Sequence, residues 1–495
     1  MRRQETKALV AAFSKSGANV IPNLISSISR LCSNDELRFR LTTSSMLTEW
    51  MRKEELHEQE NSALSAIILC SSSNSTLTND PFATAAMNGN VVFSGNIYSP
   101  KQGDDDANVV LKKIDKPDLI KAITSFLREV EGDFSVLAIQ EERMLIGRDP
   151  IGVSPLYYGE NNLLAAVASN RKTLWNMNID KTRSFPPGHL GVISRNGLKT
   201  EPARVLSFND PEAIPMQKAA ETLAKLLRQS VKLRVYREKE AAVAFSGGLD
   251  SSIVASLAKQ FNVKLKLIHV SLEGQTEIEE AKEAAELLDL PLQICLFKER
   301  DIEKTIPKVV DLIEEPDPVK VGVGIPFFWN AETAAKDGIK ILLAGQGADE
   351  LFGGYQRYVT EFLKDGSEKV NETMFQDVMS IHESNIERDE KICNFHGVDL
   401  RLPFASYEIA EFAIRLPIEL KLEKETSSLR KLVLRRAAQK MGIPDEITEK
   451  PKKAVQYSTG VNNALKKLAK KQDISLKEYI QLIFEKSIKN ISEEI

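Results

Sequence analysis

The sequence has little cysteine or histidine, and this scarcity argues against several kinds of site. Among 495 residues there are five histidines and four cysteines, namely Cys32, Cys70, Cys295 and Cys393. No two cysteines have the C-x-x-C spacing of a metal or redox site, and no histidines have the H-E-x-x-H spacing of a zinc enzyme. We therefore expect a reduced, intracellular compartment in which the cysteines are small buried apolar side chains.

Long apolar runs and an excess of charge are missing as well. No segment approaches the roughly 20 apolar residues of a membrane-spanning helix. The start of the chain, with Arg2 and Arg3, lacks the apolar stretch of a signal peptide. The net charge of −4 gives no reason to expect nucleic acid as a partner. We expect a cytoplasmic protein without membrane or nucleic-acid partners, and its length is enough for two or more domains.

The most informative stretch is a glycine-containing turn between a predicted strand that ends at Phe245 and a helical pattern that starts at Ile253. Such a turn can bind an anion, because the first N–H groups of a helix lack partners and glycine leaves room for phosphate oxygens. Its carboxylate can hold the magnesium that accompanies a nucleotide. An ordinary glycine-rich turn is the alternative. The predicted nucleotide-binding residues are Ser246, Gly247, Gly248, Leu249, Asp250, Ser251 and Ser252.

A second turn of the same character follows a predicted strand at 339–344. Strands alternate with helices after residue 216, which predicts a parallel sheet with right-handed crossovers. Ligands of such sheets bind at the carboxyl ends of the strands, so both turns can face one ligand. Asp349 is then predicted to share a magnesium ion with Asp250, although a carboxylate favoured by the helix dipole is the alternative. The predicted nucleotide contacts of this turn are Gly345, Gln346 and Gly347.

Both turns resemble motifs of known enzymes. The first (SGGLDSS) resembles the pyrophosphate-binding loop of the ATP pyrophosphatases, and residues 342–355 (LLAGQGADELFGGY) resemble the asparagine synthetase motif S-G-E-G-A-D-E-x-F-G-G-Y. The resemblance implies a parallel-sheet α/β synthetase domain of the adenine nucleotide α-hydrolase type that uses ATP and Mg²⁺. It also implies that aspartate is activated as β-aspartyl-AMP and that ammonia then attacks to give asparagine. The backbone of Val270 and Ser271 is expected to contact the adenine.

Two positions of this half depart from the family pattern. Gln346 replaces the usual glutamate between the two glycines, and glutamine cannot accept a proton at neutral pH, so Glu350 becomes the candidate base. Residues 450–460 resemble the loop whose lysine neutralises the phosphates. The family register puts that lysine at Ala454, so Lys453 or Lys452 is expected to substitute. A solvated basic run is the alternative for this segment.

The first 205 residues predict many strands and few helices, which indicates an α+β domain. Residues 147–159 (GRDPIGVSPLYYG) resemble the N-terminal glutaminase domain of the asparagine synthetases, as do shorter pieces at 134–136, 168–172 and 185–188. The resemblance implies a sandwich of the N-terminal-nucleophile type over 1–205. A linker over 206–215 and a synthetase domain over 216–495, helical in its C-terminal part, are predicted to follow.

Three positions of the glutaminase-like domain depart from its family. Members place a nucleophilic cysteine just before the first strand, with its own α-amine as base. Here that position holds Lys7, whose ammonium cannot replace a thiolate. The His-Arg-Gly-Pro segment that grips glutamine is missing, and Ser94 replaces the oxyanion-hole asparagine. We expect a glutaminase fold without activity, and free ammonia as the nitrogen donor. Processing that exposes Thr6 as the nucleophile is the rival hypothesis.

Two other functions stay open at this point. A β-lactam synthetase-like enzyme also dispenses with the N-terminal cysteine, but it places a Tyr–Glu pair near position 346, where no clear tyrosine stands. A non-catalytic scaffold would keep ATP binding without turnover. The substrates implied by the resemblance are small molecules, namely aspartate, ammonia and ATP, and a homodimer is left open.

Several other segments carry weaker expectations. Residues 33–62 are polar and poorly patterned, whereas 326–337 and 461–490 each predict a helix. Asp399 and Arg401 match family residues and are expected to order the ATP and acidic-substrate pocket, an exposed charge pair being the alternative.

Overall fold

The computed structural model describes residues 7–29, 37–58, 62–72, 82–86, 89–99, 105–423, 429–450 and 459–493. The chain divides into two compact units, Met1–Val205 with Asn394–Gly397 and Leu206–Cys393 with Val398–Ile495. Within the described ranges, no helix combines the length and apolar character needed to cross a membrane.

The first unit is built from two antiparallel sheets. Its helices are α1 (Ile21–Ser29), α2 (Lys53–His57), α3 (Asp106–Ile114), α4 (Leu119–Glu129) and α5 (Arg171–Trp175). Its strands are β1 (Lys7–Ser14), β2 (Leu37–Thr42), β3 (Ser65–Ser72), β4 (Phe82–Ala86), β5 (Gly89–Ser99), β6 (Glu131–Gln140), β7 (Arg143–Arg148), β8 (Tyr157–Glu160), β9 (Leu164–Ala168), β10 (Thr182–Ser184), β11 (His189–Ser194) and β12 (Gly197–Pro202). In the described ranges the strand orders are β10-β8-β9-β1-β3-β2 and β12-β11-β7-β6-β5-β4.

The alternation of side chains along β1 explains how the layers stack. Leu9 and Phe13 belong to a core that also contains residues of the second sheet. Val10 and Ala12, which point to the other face of the strand, belong to a core shared with α1. A third core lies between the second sheet and α3 and α4. The resulting sandwich has helices outside two stacked sheets, and it confirms the predicted sheet-rich α+β fold.

The motif at 147–159 is used for packing. Arg148 is fully buried, and its guanidinium donates to the carbonyl oxygens of Gly152 and Ser154 at 2.7 Å. The Asp149 carboxylate accepts from the backbone N–H groups of Gly152, Val153 and Ser154 at 2.6 to 3.0 Å. Burial raises the pKa of Asp149, while the charge of Arg148 lowers it. Because both charged side chains form hydrogen bonds with backbone groups of their own turn, the motif stabilises this turn of the fold.

The second unit alternates strands and helices. Its strands are β13 (Glu240–Ala244), β14 (Lys264–Leu272), β15 (Leu292–Phe297), β16 (Ile341–Leu343) and β17 (Asp399–Arg401). Its α-helices are α6 (Met216–Arg234), α7 (Leu249–Lys259), α8 (Glu277–Leu287), α9 (Glu299–Ile313), α10 (Pro318–Lys336), α11 (Ala348–Phe352), α12 (Gln356–Met379), α13 (Glu387–Phe395), α14 (Tyr407–Ile414), α15 (Leu432–Lys440), α16 (Asp445–Thr448), α17 (Val461–Lys471) and α18 (Leu476–Glu493). A π-helical turn spans His382–Ile386 and a 3₁₀ turn spans Ile418–Leu420.

The sheet of the second unit has a topological switch point at its centre. Its described strands run parallel in the order β15-β14-β13-β16-β17. The chain therefore adds β14 and β15 on one side of β13 and then β16 and β17 on the other. Such a reversal leaves a crevice between the carboxyl ends of the two adjoining strands, here β13 and β16, where ligands bind in sheets of this type. Both predicted nucleotide-binding turns follow these two strands.

The structure adds detail to the sequence patterns of three segments. Residues 33–62 contain β2 and α2 although their pattern is weak, because β2 is stabilised by pairing with the distant β3. The segment 461–490 forms two helices, α17 and α18, because the chain turns at Asp473, whose φ is 57°. The helix predicted at 326–337 begins at Pro318, where Asp317 caps its first N–H groups.

Candidate active site

The two glycine-containing turns meet in the crevice between β13 and β16. A Cβ atom on Gly345 would lie 2.8 Å from the Cβ of Asp250 and 3.3 Å from the backbone nitrogen of Ser251. Only glycine leaves space for so close an approach, so the second turn packs directly against the first. The structure therefore brings the predicted nucleotide contacts of both turns to one place.

The first turn presents hydroxyl groups at the N-terminus of α7. No side chain caps this helix at Gly248. The hydroxyl oxygens of Ser246 and Ser251 lie 3.2 Å apart. Ser252 is fully buried, and within the described residues its Oγ has no hydrogen-bond partner. A buried polar group without a partner costs about 1–3 kcal/mol, and a bound oxyanion would remove that cost.

Asp250 and Asp349, one from each turn, converge on the side chain of Lys431. The Lys431 Nζ lies 2.7 and 2.6 Å from the two carboxylate oxygens of Asp250 and 2.6 Å from Oδ1 of Asp349. Gly354 makes room for this contact, since a Cβ there would lie 1.8 Å from Asp349 Oδ1 and 2.6 Å from Lys431 Cε. The two aspartates thus lie on the same side of the sheet, within reach of one cation.

Lys431 is the main site residue that the sequence reasoning missed. Its side chain is 2% exposed, and its φ of 62° lies in the left-handed region, which is costly for a residue with a side chain. Burial lowers the pKa of Lys431, and the Asp250 carboxylate raises it. A usable signal existed in the sequence. Arg430 and Lys431 precede α15, whose first turn has no acidic residue, although the N-terminus of a helix disfavours cations. Basic residues there indicate a nearby anion.

The two aspartates suit a magnesium ion in kind and in number. In nucleotide sites Mg²⁺ is usually bound through one or two carboxylates, with phosphate oxygens and waters as the remaining ligands. Asp250 and Asp349 already converge on one positive centre. Within the described residues no group of three or more His, Cys, Asp or Glu could hold an ion by itself. Any ion here would therefore need further oxygens from a nucleotide or from water, and it would share its carboxylates with Lys431.

Gln346, between the two glycines of the second turn, donates to a buried carboxylate. Its Nε2 lies 2.6 Å from Oδ2 of Asp389 on α13. Asp389 is fully buried, and Nε and Nη2 of Arg388 lie 2.7 and 3.0 Å from its two oxygens. Burial raises the pKa of Asp389, while Arg388 and Gln346 lower it. Sequence analysis did not single out Asp389.

Glu350, the predicted base, is 3% exposed and has two donors. Its Oε1 lies 2.5 Å from the hydroxyl of Tyr355 and 2.7 Å from Nδ2 of Asn385. Burial raises the pKa of Glu350, and the hydrogen bond from Tyr355 lowers it. Asn385 also accepts from Arg388 at 3.4 Å. A hydrogen-bonded network therefore connects Glu350 with the residues that hold Asp389.

Known proteins match this chain over both units. The asparagine synthase family matches residues 222–365 and 363–489, which together make up more than half of the chain, and the glutamine amidotransferase domain family matches 72–176. The putative asparagine synthetase [glutamine-hydrolyzing] 1 of Methanocaldococcus jannaschii is 32% identical over 412 residues, which cover 73% of this chain and 76% of that protein. The chain belongs to the asparagine synthetase family. Membership indicates a ligase that uses ATP, and it confirms the α/β synthetase domain preceded by an amidotransferase-type sandwich.

Other members of the asparagine synthetase family align over less of their length. Asparagine synthetase [glutamine-hydrolyzing] 1 of Arabidopsis thaliana is 28% identical over 357 residues, which cover 68% of this chain and 59% of the plant protein. Among solved structures, the glutamine phosphoribosylpyrophosphate amidotransferase of B. subtilis superimposes with a TM-score of 0.34 at 17% identity, covering 60% of this chain and 68% of that chain. A superposition this partial adds nothing to the assignment.

The predicted adenine contacts lie where β14 extends beyond β13. The register between these strands ends with Ala244 opposite Ile268. Val270 and Ser271 continue the pairing with β15 only, so one edge of their backbone lies past the end of β13. His269 is buried, with its Nδ1 3.0 Å from the carbonyl oxygen of Phe245, as expected for a packed side chain. Burial lowers the pKa of His269.

The two candidate lysines of the basic segment, Lys452 and Lys453, lie outside the described residues, as does Thr6. The residues on either side of the segment are described. Lys450 Nζ lies 3.3 Å from a carboxylate oxygen of Glu283 on α8, and the carbonyl of Thr459 accepts from the N–H of Leu272 at the end of β14. The residue before the segment thus pairs with α8, and the residue after it bonds to the end of β14.

The alternative of an exposed pair at Asp399 and Arg401 is wrong. Both residues are 3% exposed. Arg401 Nε lies 2.7 Å from Asp399 Oδ2 and its Nη2 lies 2.9 Å from Glu238 Oε1. Arg401 also donates to the carbonyl of Arg234 at the end of α6. These contacts tie β17 to α6 and explain the residue types by packing.

Two of the three departures of the glutaminase-like unit, Lys7 and Ser94, are described residues. Lys7 is half-buried at the start of β1, opposite Ser71 of β3. Ser94 lies on β5 opposite Ser135 of β6. The described cysteines are Cys70, Cys295 and Cys393, so none occupies the start of β1.

Proposed function

We propose that this protein makes asparagine from aspartate and ammonia, with ATP converted to AMP and pyrophosphate through β-aspartyl-AMP. The coarser part, an ATP-dependent amide ligase of the asparagine synthetase family, follows from the matches described above. The observation that carries the finer proposal is the convergence of Asp250 and Asp349, from two different turns, on one cationic centre at the switch point of the sheet.

The first step activates a carboxylate that would not react with an amine at neutral pH. An oxygen of the aspartate β-carboxylate bonds to the α-phosphorus of ATP, and the bond to the pyrophosphate oxygen breaks. Ser246, Ser251 and Ser252 bind phosphate oxygens with the N–H groups of α7. Lys431 lies where it can offset the negative charge of the leaving pyrophosphate. Lys452 or Lys453 is proposed to do the same from the basic segment.

The nucleotide and its metal are assigned to the residues of the two turns. Asp250 and Asp349 would hold Mg²⁺, which when bound neutralises phosphate charge. Val270 and Ser271 contact the adenine through their backbone, while Gly345 and Gly347 allow the second turn to approach the nucleotide.

The second step forms the amide bond. The nitrogen of ammonia attacks the acyl carbon of β-aspartyl-AMP, AMP leaves, and a proton must leave the nitrogen. Gln346 cannot accept that proton. Glu350 is the proposed acceptor, because burial raises its pKa toward the range in which a carboxylate can take up a proton from an amine in water.

Free ammonia is the proposed nitrogen donor. The strand position that carries the nucleophilic cysteine in glutamine-hydrolysing relatives holds Lys7, and Ser94 replaces the side-chain amide of the oxyanion hole. We expect asparagine formation with ammonium salts and at least tenfold less with glutamine at equal concentration. Amino-acid analysis of the product with each donor checks this. Turnover with glutamine equal to that with ammonia would contradict it, and an N-terminal sequence starting at Thr6 would support the rival threonine nucleophile.

A β-lactam synthetase-like reaction is the second candidate, and one observation favours it. No clear tyrosine stands near Gln346 in the sequence, but the structure pairs the Tyr355 hydroxyl with Glu350 at 2.5 Å. Exchange of labelled pyrophosphate into ATP, tested with aspartate and with a panel of β-amino acids, separates the two. Exchange that requires aspartate supports the synthetase, exchange with a β-amino acid supports the cyclase, and the absence of exchange with every acid tested supports a non-catalytic scaffold. A cytoplasmic homodimer is the assembly proposed with this function.

A further inference from the structure

Asp389 is a buried carboxylate that the proposed chemistry does not yet use. It is fully buried on α13, yet one of its oxygens reaches Gln346 in the second turn at 2.6 Å. Arg388 bonds both of its oxygens and offsets its charge. A paired buried carboxylate of this kind often serves packing alone. Here its remaining bond goes to a side chain that is only half-buried and lies in the crevice.

The chemistry of this contact fixes which way the Gln346 amide points. An ionised carboxylate accepts hydrogen bonds and cannot donate them, so it faces the NH₂ group of an amide and repels the carbonyl oxygen. The Nε2 of Gln346 therefore faces Asp389. Because the amide group is planar, Oε1 points away from Asp389. Gln346 thereby offers an acceptor, and no proton, to a ligand in the crevice.

We propose that Asp389 is a positioning residue that holds Oε1 of Gln346 as a fixed hydrogen-bond acceptor for the N–H groups of the attacking amine. This inference rests on the proposed function, and it names how the second turn binds the nitrogen nucleophile without the glutamate usual at position 346. The glutamate usual at position 346 is thus replaced by two groups, the Gln346 amide next to the ligand and the Asp389 carboxylate behind that amide. The nucleophile then meets a neutral acceptor and has to arrive as uncharged ammonia.

The test measures the two half-reactions separately. Aspartate-dependent ATP–pyrophosphate exchange reports activation, and asparagine formation at low ammonia reports the attack. For Asp389→Asn, whose amide can also donate, Gln346 is free to turn over. We expect the ratio of amide formation to exchange to fall on the order of tenfold, through the KM for ammonia more than through kcat. Gln346→Met, which removes the acceptor at a half-buried position, should lower the ratio similarly even if Asp389→Asn fails to fold.

A swap of the two groups is the sharper variant. Gln346→Glu alone places two carboxylates against each other, so one must hold a proton. The double variant Gln346→Glu with Asp389→Asn keeps the charge and the hydrogen bond but exchanges their positions, and again presents a fixed acceptor to the crevice. We expect its ratio to recover to within about threefold of the wild type. A purely structural role of Asp389 does not predict recovery of this ratio.

Glu390→Gln is the matched control, since it removes the neighbouring carboxylate of the same helix, and its ratio should equal that of the wild type. The inference is overturned if Asp389→Asn and Gln346→Met both keep the wild-type ratio, or if the swap lowers it as much as Asp389→Asn does. Absence of aspartate-dependent exchange in the wild type would instead contradict the proposed function itself.

Discussion

In the first unit the charged residues of the longest motif, Arg148 and Asp149, bond inward to their own turn, whereas in the second unit Asp250 and Asp349 lie at a crevice and share a cation. Both motifs resemble the same family. Arg148 is fully buried, whereas the side chains of Asp250 and Asp349 are 22% and 20% exposed. Resemblance to one family therefore rests on packing residues in the first motif and on residues that a ligand can reach in the second.

The largest expected effect on activity is the difference between substitutions at Asp250 or Asp349 in the second unit and at Lys7 in the first. Asp250→Asn or Asp349→Asn should lower aspartate-dependent ATP–pyrophosphate exchange by at least about a hundredfold, because each removes a charge that, in the proposed function, positions the metal and the phosphates. Lys7→Ala, at the nucleophile position of the first unit, should leave ammonia-dependent asparagine formation within about twofold of the wild type. A loss at Lys7 as large as that at Asp250 would show that the first unit takes part in the chemistry.

A second prediction concerns the contribution of Lys431 to the stability of the protein, which is measured independently of activity. Lys431→Met leaves two carboxylates facing each other, so we expect the metal-free protein to lose on the order of 3 kcal/mol. Added Mg²⁺ should raise the unfolding temperature more in this variant than in the wild type, because no ammonium competes for the same oxygens.

Thermal unfolding with a chelator and with excess Mg²⁺ measures both effects. Lys440→Met is the matched control, since Lys440 lies on the same helix and pairs with Glu221 at the surface. An equal magnesium effect in Lys431→Met and the wild type would argue against a metal held by Asp250 and Asp349.

The smallest effect concerns Glu350 and pH. Its pKa is raised in the folded protein, so above that pKa the ionised side chain destabilises the fold relative to an ordinary glutamate. The penalty shrinks as the pH falls through the raised pKa, and it is gone below about 4.5, the ordinary value, where the carboxyl is protonated in both states. Glu350→Gln should therefore be more stable than the wild type near neutral pH, and the difference should shrink on acidification.

Denaturant unfolding at several pH values measures this difference, with the exposed Glu408→Gln as control. A gain in stability that does not change with pH would mean that ionisation of Glu350 is not the cause of the gain.

Local sequence patterns predicted much of the second unit because its strands and helices are formed by contiguous segments. The turns at 246–252 and 345–347 combine glycine, hydroxyl and carboxylate side chains between a strand and a helix, and these combinations have a direct physical meaning. That both turns face one crevice follows from the parallel sheet, so the approach of Asp250 to Asp349 could be expected before the structure was known.

The remaining site residues could not be predicted in this way. Lys431 and Asp389 reach the crevice from helices far along the chain, and no local pattern states which side chain will be buried against which turn. In the first unit β2 pairs with β3 across about thirty residues, and such pairing is decided by packing. For the same reason, the weak sequence pattern at 33–62 did not indicate β2.

The most direct test of the central claim is exchange of labelled pyrophosphate into ATP by the purified wild-type protein with Mg²⁺, in the presence and absence of aspartate. We predict exchange that requires aspartate and that Asp250→Asn abolishes. Exchange that is absent with aspartate, or equally fast without it, would contradict an aspartate-activating site at the two turns.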